Sequence, residues 1–583
     1  MTGAPLTGAL GFNDPFHDAS FARLDDSGLL HVELERFTRQ KLERQSPLLG
    51  FLDRMPGDAL DGVAAIGVVE GEMLAPLFWQ LALAKSTGSG PLPLVDHMLA
   101  RLTAMQNLVF EVKQGGFTHL GPLDRFRDPL LAFVTHALRP DVRVAVLGHH
   151  HCHTANAFLS SPFAEALSVS LDGGGYDFAE RDGTRELIYG AAYHCTATPF
   201  RMTRLPFAPD ATGAGAFARV GIRVLDLQFG EEGTVMAMAA HGDPDRFASA
   251  MDPPWLWSTH HVVGWDKPGA DALTAQLDHL RHQIKTEQDR FDVAAAVQQR
   301  AGHLLQAQLQ QVVGRHTRAL CLSGGLALNC QLVGQVQNWF PWLEHVYVPP
   351  APYDGGLSIG VAQLLRHDLL GVPAPCPAFM PFASGPAAPV ADVLAACHPR
   401  QPAPATVGEV AQRLAGGQVG ARFAGGAESG RRALGHRSIL ADPRNSAVRE
   451  RINTVVKHRA WFRPLAPMVL AEHAQEWFEC APGFASPNMS HALRVRNGMG
   501  GYIPAVIHRD GTARVQTIHQ ALTPGLHALL SAFFELTGIP VLLNTSFNDQ
   551  EPIVQTPGEA VSCYDRSGLD FVYFADPGLL LAR

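Results

Sequence analysis

Two histidines four residues apart, His149 and His153 within Gly148–Phe158, would share one face of a helix and present both imidazoles to a single metal ion. Asp172 closes an apolar run ahead of Gly173-Gly174-Gly175, and Asp354 opens Asp354-Gly355-Gly356 at a strand-to-helix turn. In a doubly wound sheet such strand ends converge on one edge. Two nitrogens and two carboxylate oxygens suit Fe(II), Zn or Mn better than Ca or Mg. Alternatives stay open at each position, with the histidine pair structural and the aspartates in plain turn or N-cap roles. His150 and His151 point elsewhere, to solvent or behind the ligands.

A second chemistry lies between residues 431 and 463. Nine basic side chains, among them Arg432, Lys457 and Arg463, face two acidic ones, Asp442 and Glu450. On a chain of net charge −9 such a local excess needs a purpose. A solvated basic face or an RNA-binding patch would explain it. Gly430-Arg431-Arg432-Ala433-Leu434-Gly435-His436-Arg437-Ser438, however, interleaves arginines with glycine and apolar residues, as a folded phosphate pocket does. Asn544-Thr545-Ser546-Phe547-Asn548 follows the apolar run 539–543 and sets amides and hydroxyls at a strand end. Two anion-type sites, one with a metal, imply a two-step reaction. Near the start, Gly11–Ser20 links two strands as a phosphate cradle or a plain hairpin, and its His17 is either a general base or a turn histidine.

These groups need elements to carry them. Apolar runs 166–171, 319–322 and 345–348 each lead to a glycine turn, with helical patterns resuming at Leu326 and Leu357. A long amphipathic helix is expected over 292–315, and residues 70–140 read as mostly helical. Strand–glycine turn–helix units bring backbone N–H groups to the sheet's carboxyl edge, so the first part is an α/β phosphate- or nucleotide-binding architecture. Six prolines between 371 and 390 mark a linker, with a boundary near 375.

Composition sets the outer bounds. With 583 residues, 46% hydrophobic and 17% charged, the chain has material for several cores and is not disordered as a whole. Its mild acidity argues against a general nucleic-acid binder. No basic region precedes an apolar stretch at the start, and no run of about 18 apolar residues occurs. The eight cysteines form no CxxC pair and read as reduced, mostly buried thiols. The expectation is a soluble cytoplasmic protein that binds neither nucleic acid nor membrane.

Taken in order, the motifs resemble the O-carbamoyltransferase family of antibiotic and nodulation-factor biosynthesis. Ten blocks carry the likeness, from His17-Asp18-Ala19-Ser20 and Glu35-Arg36-Phe37-Thr38-Arg39, through 149–163, 172–174, 324–330 and 354–356, to 432–440, 462–467, 510–516 and 544–548. The resemblance implies an N-terminal actin-like (ASKHA, Kae1-like) domain over 1–375 and a C-terminal YrdC-like α/β domain over 376–583. It implies that the second domain makes carbamoyl adenylate from ATP, with its Mg2+, and carbamoyl phosphate, releasing phosphate and pyrophosphate. The first would then pass the carbamoyl group to a hydroxyl of a small natural product, leaving AMP.

The same likeness assigns His149, His153, Asp172 and Asp354 as metal ligands, with iron the expected ion, and His17 as base on the acceptor hydroxyl. Arg432, Lys457, Arg463 and Arg514 would hold phosphates, with Asn544 and Ser546, while Gly324, Gly325 and Asn329 would line the transfer site's nucleotide pocket. One departure is Thr234, which stands where relatives commonly carry lysine, so a lysine role there is lost or supplied from elsewhere. A tRNA threonylcarbamoyl-transfer enzyme is the alternative, since related domains serve that pathway, and a non-catalytic nucleotide- or metal-binding regulator is a third reading. The acceptor's identity and the oligomeric state stay open.

Overall fold

The computed structural model describes residues 7–13, 18–41, 62–69, 143–178, 185–207, 213–228, 230–257, 275, 277–372, 382 and 387–583. His17, the helical reading of 70–140 and the boundary near 375 lie outside them.

The first half holds two five-stranded sheets with one connectivity. In the first, β1 (Gly8–Asn13), β2 (Ser20–Asp25) and β3 (Gly28–Glu33) form an antiparallel meander. β4 (Val63–Val69) then adds parallel to β1, and β5 (Arg143–Leu147) parallel to β4. In the second, β6 (Glu165–Phe178), β7 (Arg185–Ala197) and β8 (Phe200–Arg204) repeat the meander. β9 (Ala319–Ser323) lies parallel to β6, and β10 (His345–Tyr347) parallel to β9. Parallel pairing demands a crossover, and in the second sheet the chain between β8 and β10 supplies helices, among them Phe217–Val224, Glu287–Gln310 and Cys330–Trp339.

Two other helices position the site. α1 (His149–Leu159) leaves the end of β5, and α2 (Leu357–Leu364) follows the Asp354 turn. They touch at Gly360, where a Cβ would fall 2.0 Å from the Cys152 carbonyl oxygen, so only glycine admits this approach. Every residue of α2 is buried.

The second half is one nine-stranded mixed sheet, edged on one side by β11 (Ala403–Pro404), β19 (Leu579–Ala582) and β18 (Phe571–Phe574) and on the other by β15 (His491–Arg494). Its centre is formed by β12 (Gly420–Phe423), β13 (Arg437–Ala441), β17 (Val541–Ser546), β14 (Ala466–Leu470) and β16 (Thr512–Ile518) in that order. A single apolar core, including Phe533, Phe547, Phe571 and Phe574, runs from Val393 to Leu581. The main cores of the first half are separate clusters.

Several sequence expectations shift. The run at 166–171 does not stop at its glycines but continues as a 14-residue strand. Leu171 pairs with Gly190 and Gly175 with Ile188, so residues 172–174 bulge opposite Tyr189 alone. The long helix spans Glu287–Gln310 rather than 292–315, because Thr286 and Asp289 form a capping box five residues earlier than the apolar pattern suggests. After Gly324 the chain makes a short 3-10 turn, and the α-helix starts only at Cys330, capped by Asn329. Asn544 and Ser546 lie at the end of β17, whose last residue is Ser546, as expected. The seven described cysteines are free, six of them buried. No helix among the described residues is long and apolar enough to cross a membrane.

Candidate active site

α1 begins at Gly148, whose extended backbone turns the chain directly from β5 into the helix. Asp177 Oδ1 accepts the His151 N–H at 3.4 Å, standing in for the missing side-chain cap. One turn apart, His149 and His153 hold their ring centroids 4.7 Å from each other. Asp172 enters from the bulge in β6 and is fixed by the Gly325 N–H, 2.8 Å from Oδ2. Asp354 enters from the opposite side, its carbonyl accepting from Asn13 Nδ2 at 2.6 Å.

The four expected ligands therefore come together, with one donor atom of each within 4.8 Å of the others. His153 is fully buried, and its Nε2 lies 3.2 Å from Asp172 Oδ2 and 3.5 Å from Asp354 Oδ1 without the alignment of a hydrogen bond. His149 Nε2 lies 3.7 Å from Asp354 Oδ1. Burial opposes charge on His153, yet the two carboxylates prevail and raise it to about 9. Asp172 is likewise held well below the usual carboxylate range, the two imidazoles outweighing its burial. Two buried nitrogens converging on two carboxylate oxygens fit a divalent cation, and this donor set favours a transition metal. His150 does not face solvent. It is buried between Ser170 Oγ (2.9 Å) and the Ile188 carbonyl (3.1 Å).

The arginines gather around a cavity of about 500 Å³ at the seam between the halves. Arg432, Arg463, Arg514, Asn544 and Ser546 all line it, as expected of an anion pocket. Arg431, Arg449, Arg459 and Arg509 line it too, and among the described residues no carboxylate does. Burial and mutual repulsion push Arg432 down to about 9, and burial with Arg463 and Arg514 does the same to Arg459. Guanidinium groups keep their protons at neutral pH, so this depression expresses first the burial of their charge and then their mutual repulsion, both of which a bound polyanion would offset.

Lys457 is not on that wall. Burial lowers it well below an ordinary lysine, and its ammonium donates to Ser546 O (2.8 Å), Ser546 Oγ (2.9 Å) and Asn548 Oδ1 (2.5 Å), holding the end of β17. Asn544 donates to Ala433 O and Gln516 Oε1, both at 2.9 Å, and so fixes the wall it belongs to.

Gly324, Gly325 and Asn329 also lie off the cavity. Gly324 has φ +83°, and a Cβ there would fall 2.1 Å from the Leu171 carbonyl oxygen. Asn329 caps the helix at Cys330 and exchanges two bonds with Gln298. This loop links the two sites: Gly325 N–H holds Asp172, and three residues on, the Leu328 carbonyl accepts from Arg432 Nη2 at 2.8 Å. Arg463 Nη1 donates to Thr234 Oγ1 at 2.5 Å, so a guanidinium stands beside the hydroxyl found in place of lysine.

A group that sequence reasoning did not single out joins the halves beside both sites. Arg431 Nη2 donates to both Asp18 oxygens, at 2.6 and 2.8 Å, and its guanidinium lies 4.5 Å over the Tyr353 ring. Glu33 Oε2 accepts the Gly430 N–H at 3.2 Å, Oε1 accepts from the Tyr353 hydroxyl, and Arg36 Nη2 donates to Gly430 O at 2.6 Å. Burial lifts Glu33 to about 7 against the pull of Arg36. Asp18 and Arg36 belong to motif blocks and Arg431 to the basic segment 430–438, but nothing in the sequence pairs them.

Residues 9–363 match the family model described as carbamoyltransferase N-terminus, and residues 411–579 that described as carbamoyltransferase C-terminus. The nodulation protein NolO of Bradyrhizobium diazoefficiens is 34% identical over 73% of this chain and 77% of its own length. NolNO of Sinorhizobium fredii is 31% identical over 73% of this chain and 62% of its own length. Among solved structures, HypF of T. kodakarensis aligns with 62% of this chain and 48% of its own at 11% identity, with a TM-score of 0.29.

Proposed function

Because the chain belongs to the carbamoyltransferase family, we propose that it is an ATP- and carbamoyl phosphate-dependent O-carbamoyltransferase of the cytoplasm acting on a hydroxyl of a small natural product. The observation that carries this reading is the pairing of two chemically distinct sites through one loop. An arginine-lined cavity and a mixed nitrogen–oxygen cluster of four candidate ligands meet at Gly325–Leu328.

In this reading the cavity arginines bind the phosphates of ATP, delivered with Mg2+, and of carbamoyl phosphate. Clustered guanidinium groups offset the charge that builds as water releases phosphate from carbamoyl phosphate and the resulting carbamate oxygen attacks the α-phosphorus of ATP, expelling pyrophosphate and leaving carbamoyl adenylate. Lys457 acts indirectly, by holding Ser546 on the wall. The acceptor hydroxyl then attacks the carbamoyl carbon, its proton passes to His17 and AMP departs. His149, His153, Asp172 and Asp354 would hold the divalent ion, expected to be iron, which supplies Lewis-acid stabilisation of the leaving phosphate. Gly324, Gly325 and Asn329 shape the loop between the two centres. The repeated connectivity of the first two sheets supports an actin-like domain over 1–375, and the separate core of 393–581 supports a YrdC-like domain over 376–583.

Pyrophosphate release from ATP by metal-loaded protein without acceptor tests the reading. Release that requires carbamoyl phosphate supports it. Release with bicarbonate and threonine instead would favour the tRNA-modifying alternative, and no turnover of ATP would favour a regulator.

A further inference from the structure

Glu33 closes β3, and its two carboxylate oxygens serve different segments. Oε1 accepts from the hydroxyl of Tyr353, the residue that opens the turn at Asp354. Oε2 accepts the Gly430 N–H at 3.2 Å, at the start of the arm that carries Arg431 and Arg432 to the cavity wall. The Glu33 side chain is 6% exposed, so little water competes for either bond. The Asp354 turn has further supports from the same sheet. Asn13 Nδ2 donates to the Asp354 carbonyl at 2.6 Å, and His31 Nε2, on β3, to the Gly355 carbonyl at 2.8 Å. The arm is pressed against the chain that leads into this turn. A Cβ on Gly430 would fall 2.3 Å from the Pro350 carbonyl oxygen, and Arg36 Nη2 donates to the Gly430 carbonyl at 2.6 Å. The Arg431 guanidinium then covers the Tyr353 ring.

We propose that Glu33 is a positioning residue for both sites, aiming Asp354 through the Tyr353 hydroxyl and the Arg431–Arg432 arm through the Gly430 N–H. This rests on the metal and phosphate readings given above. Glu33 is neither one of the four converging donors nor part of the cavity wall, so it acts through its neighbours. Outer partners that orient a ligand set its affinity for the ion without touching it. A carboxylate suits the task because one planar group accepts at two oxygens at once.

Two titrations of the full chain, metal-free at the outset, test the proposal: Co2+ read by its visible absorption, and inorganic tripolyphosphate read by calorimetry. Glu33→Ala is expected to weaken Co2+ by about 10- to 100-fold and tripolyphosphate by about three- to tenfold. Glu33→Gln keeps a polar atom for each partner and should recover most of both losses. Tyr353→Phe keeps the ring under Arg431 but removes the hydroxyl. It should weaken Co2+, shift its absorption bands and leave tripolyphosphate unchanged. A Glu33→Ala protein that unfolds at lower temperature yet binds both probes as before has lost only stability, which overturns the proposal. No recovery in Glu33→Gln would assign the effect to charge instead of hydrogen bonding and also overturn it. Should Glu33→Ala fail to fold, Tyr353→Phe decides: weakening of both probes, or of neither, refutes the division of the two oxygens between the sites. If the unaltered protein binds neither probe, the site readings themselves fall, and the proposal with them.

Discussion

Asp18 and Arg431 are 413 residues apart in sequence, yet both Asp18 carboxylate oxygens accept from one Arg431 nitrogen, at 2.6 and 2.8 Å. The pair crosses the seam between the halves. Arg431 lines the anion cavity, while Asp18 follows directly on the expected base, His17.

Breaking this pair leaves a buried charge behind. Asp18→Ala or Arg431→Ala should each destabilise the protein by about 2 kcal/mol, less than for a fully enclosed pair because the arginine side chain is 28% exposed. Thermal unfolding of both single variants and the double variant checks this. Strictly additive losses would show that the two residues are not coupled.

Asp172→Asn should lower the metal content of purified protein, measured by elemental analysis, while tripolyphosphate binding at the cavity stays the same. The carboxylate is one of four converging donors and lies outside the cavity wall. Unchanged metal stoichiometry would rule out Asp172 as a ligand.

Arg514 contributes its charge to the cavity and leaves Nε without a hydrogen-bond partner. Arg514→Ala should weaken tripolyphosphate binding about tenfold or more, as loss of a charge-assisted contact of roughly 1.5–3 kcal/mol requires. Arg400→Ala, which removes an exposed arginine paired with Asp565, should leave binding unchanged. Equal effects from both variants would point to general electrostatics instead of a site.

Glu33 binds its proton more tightly in the folded protein, at about 7, than the ordinary 4.5 expected on unfolding. Between those values the native state holds more protons, so the stability it contributes declines as pH rises from about 4.5 to 7 and is level above. The difference in unfolding free energy between the protein and Glu33→Gln should therefore change by about 2 kcal/mol from pH 5 to pH 8. Denaturant titrations at several pH values measure it, and a pH-independent difference would exclude Glu33 as the titrating group.

Gly360→Ala places a methyl group 2.0 Å from the Cys152 carbonyl oxygen, between the helix carrying the histidines and the helix after Asp354. Overpacking of this kind costs about 1–3 kcal/mol or more. Metal content should fall with stability, because the two helices bring opposite ligands together. Retained metal in a destabilised protein would mean that the ligands are positioned independently of this contact.

Much of the candidate site was legible in the sequence because its determinants are local. A four-residue spacing places two histidines on one helical face whatever surrounds them, and a glycine turn after an apolar run announces a strand end. An excess of basic side chains over 431–463 is visible in composition alone, and several of them line one cavity. Elements whose course depends on distant partners were not legible. The strand through Asp172 runs on because residues 175–178 pair with β7, and it is that pairing which turns the aspartate out as a bulge. Lys457, expected among the phosphate-binding cations, turns its donors to Ser546 and Asn548, about 90 residues away, a contact no local pattern announces. Which arginines face a common cavity, that Thr234 meets Arg463, and that Asp18, Glu33 and Arg36 clasp residues 430–431 are likewise results of packing between remote segments. Residue type and spacing determined which chemistries this chain carries. Tertiary structure alone decided which charges confront one another, because burial and long-range pairing fix where each side chain ends.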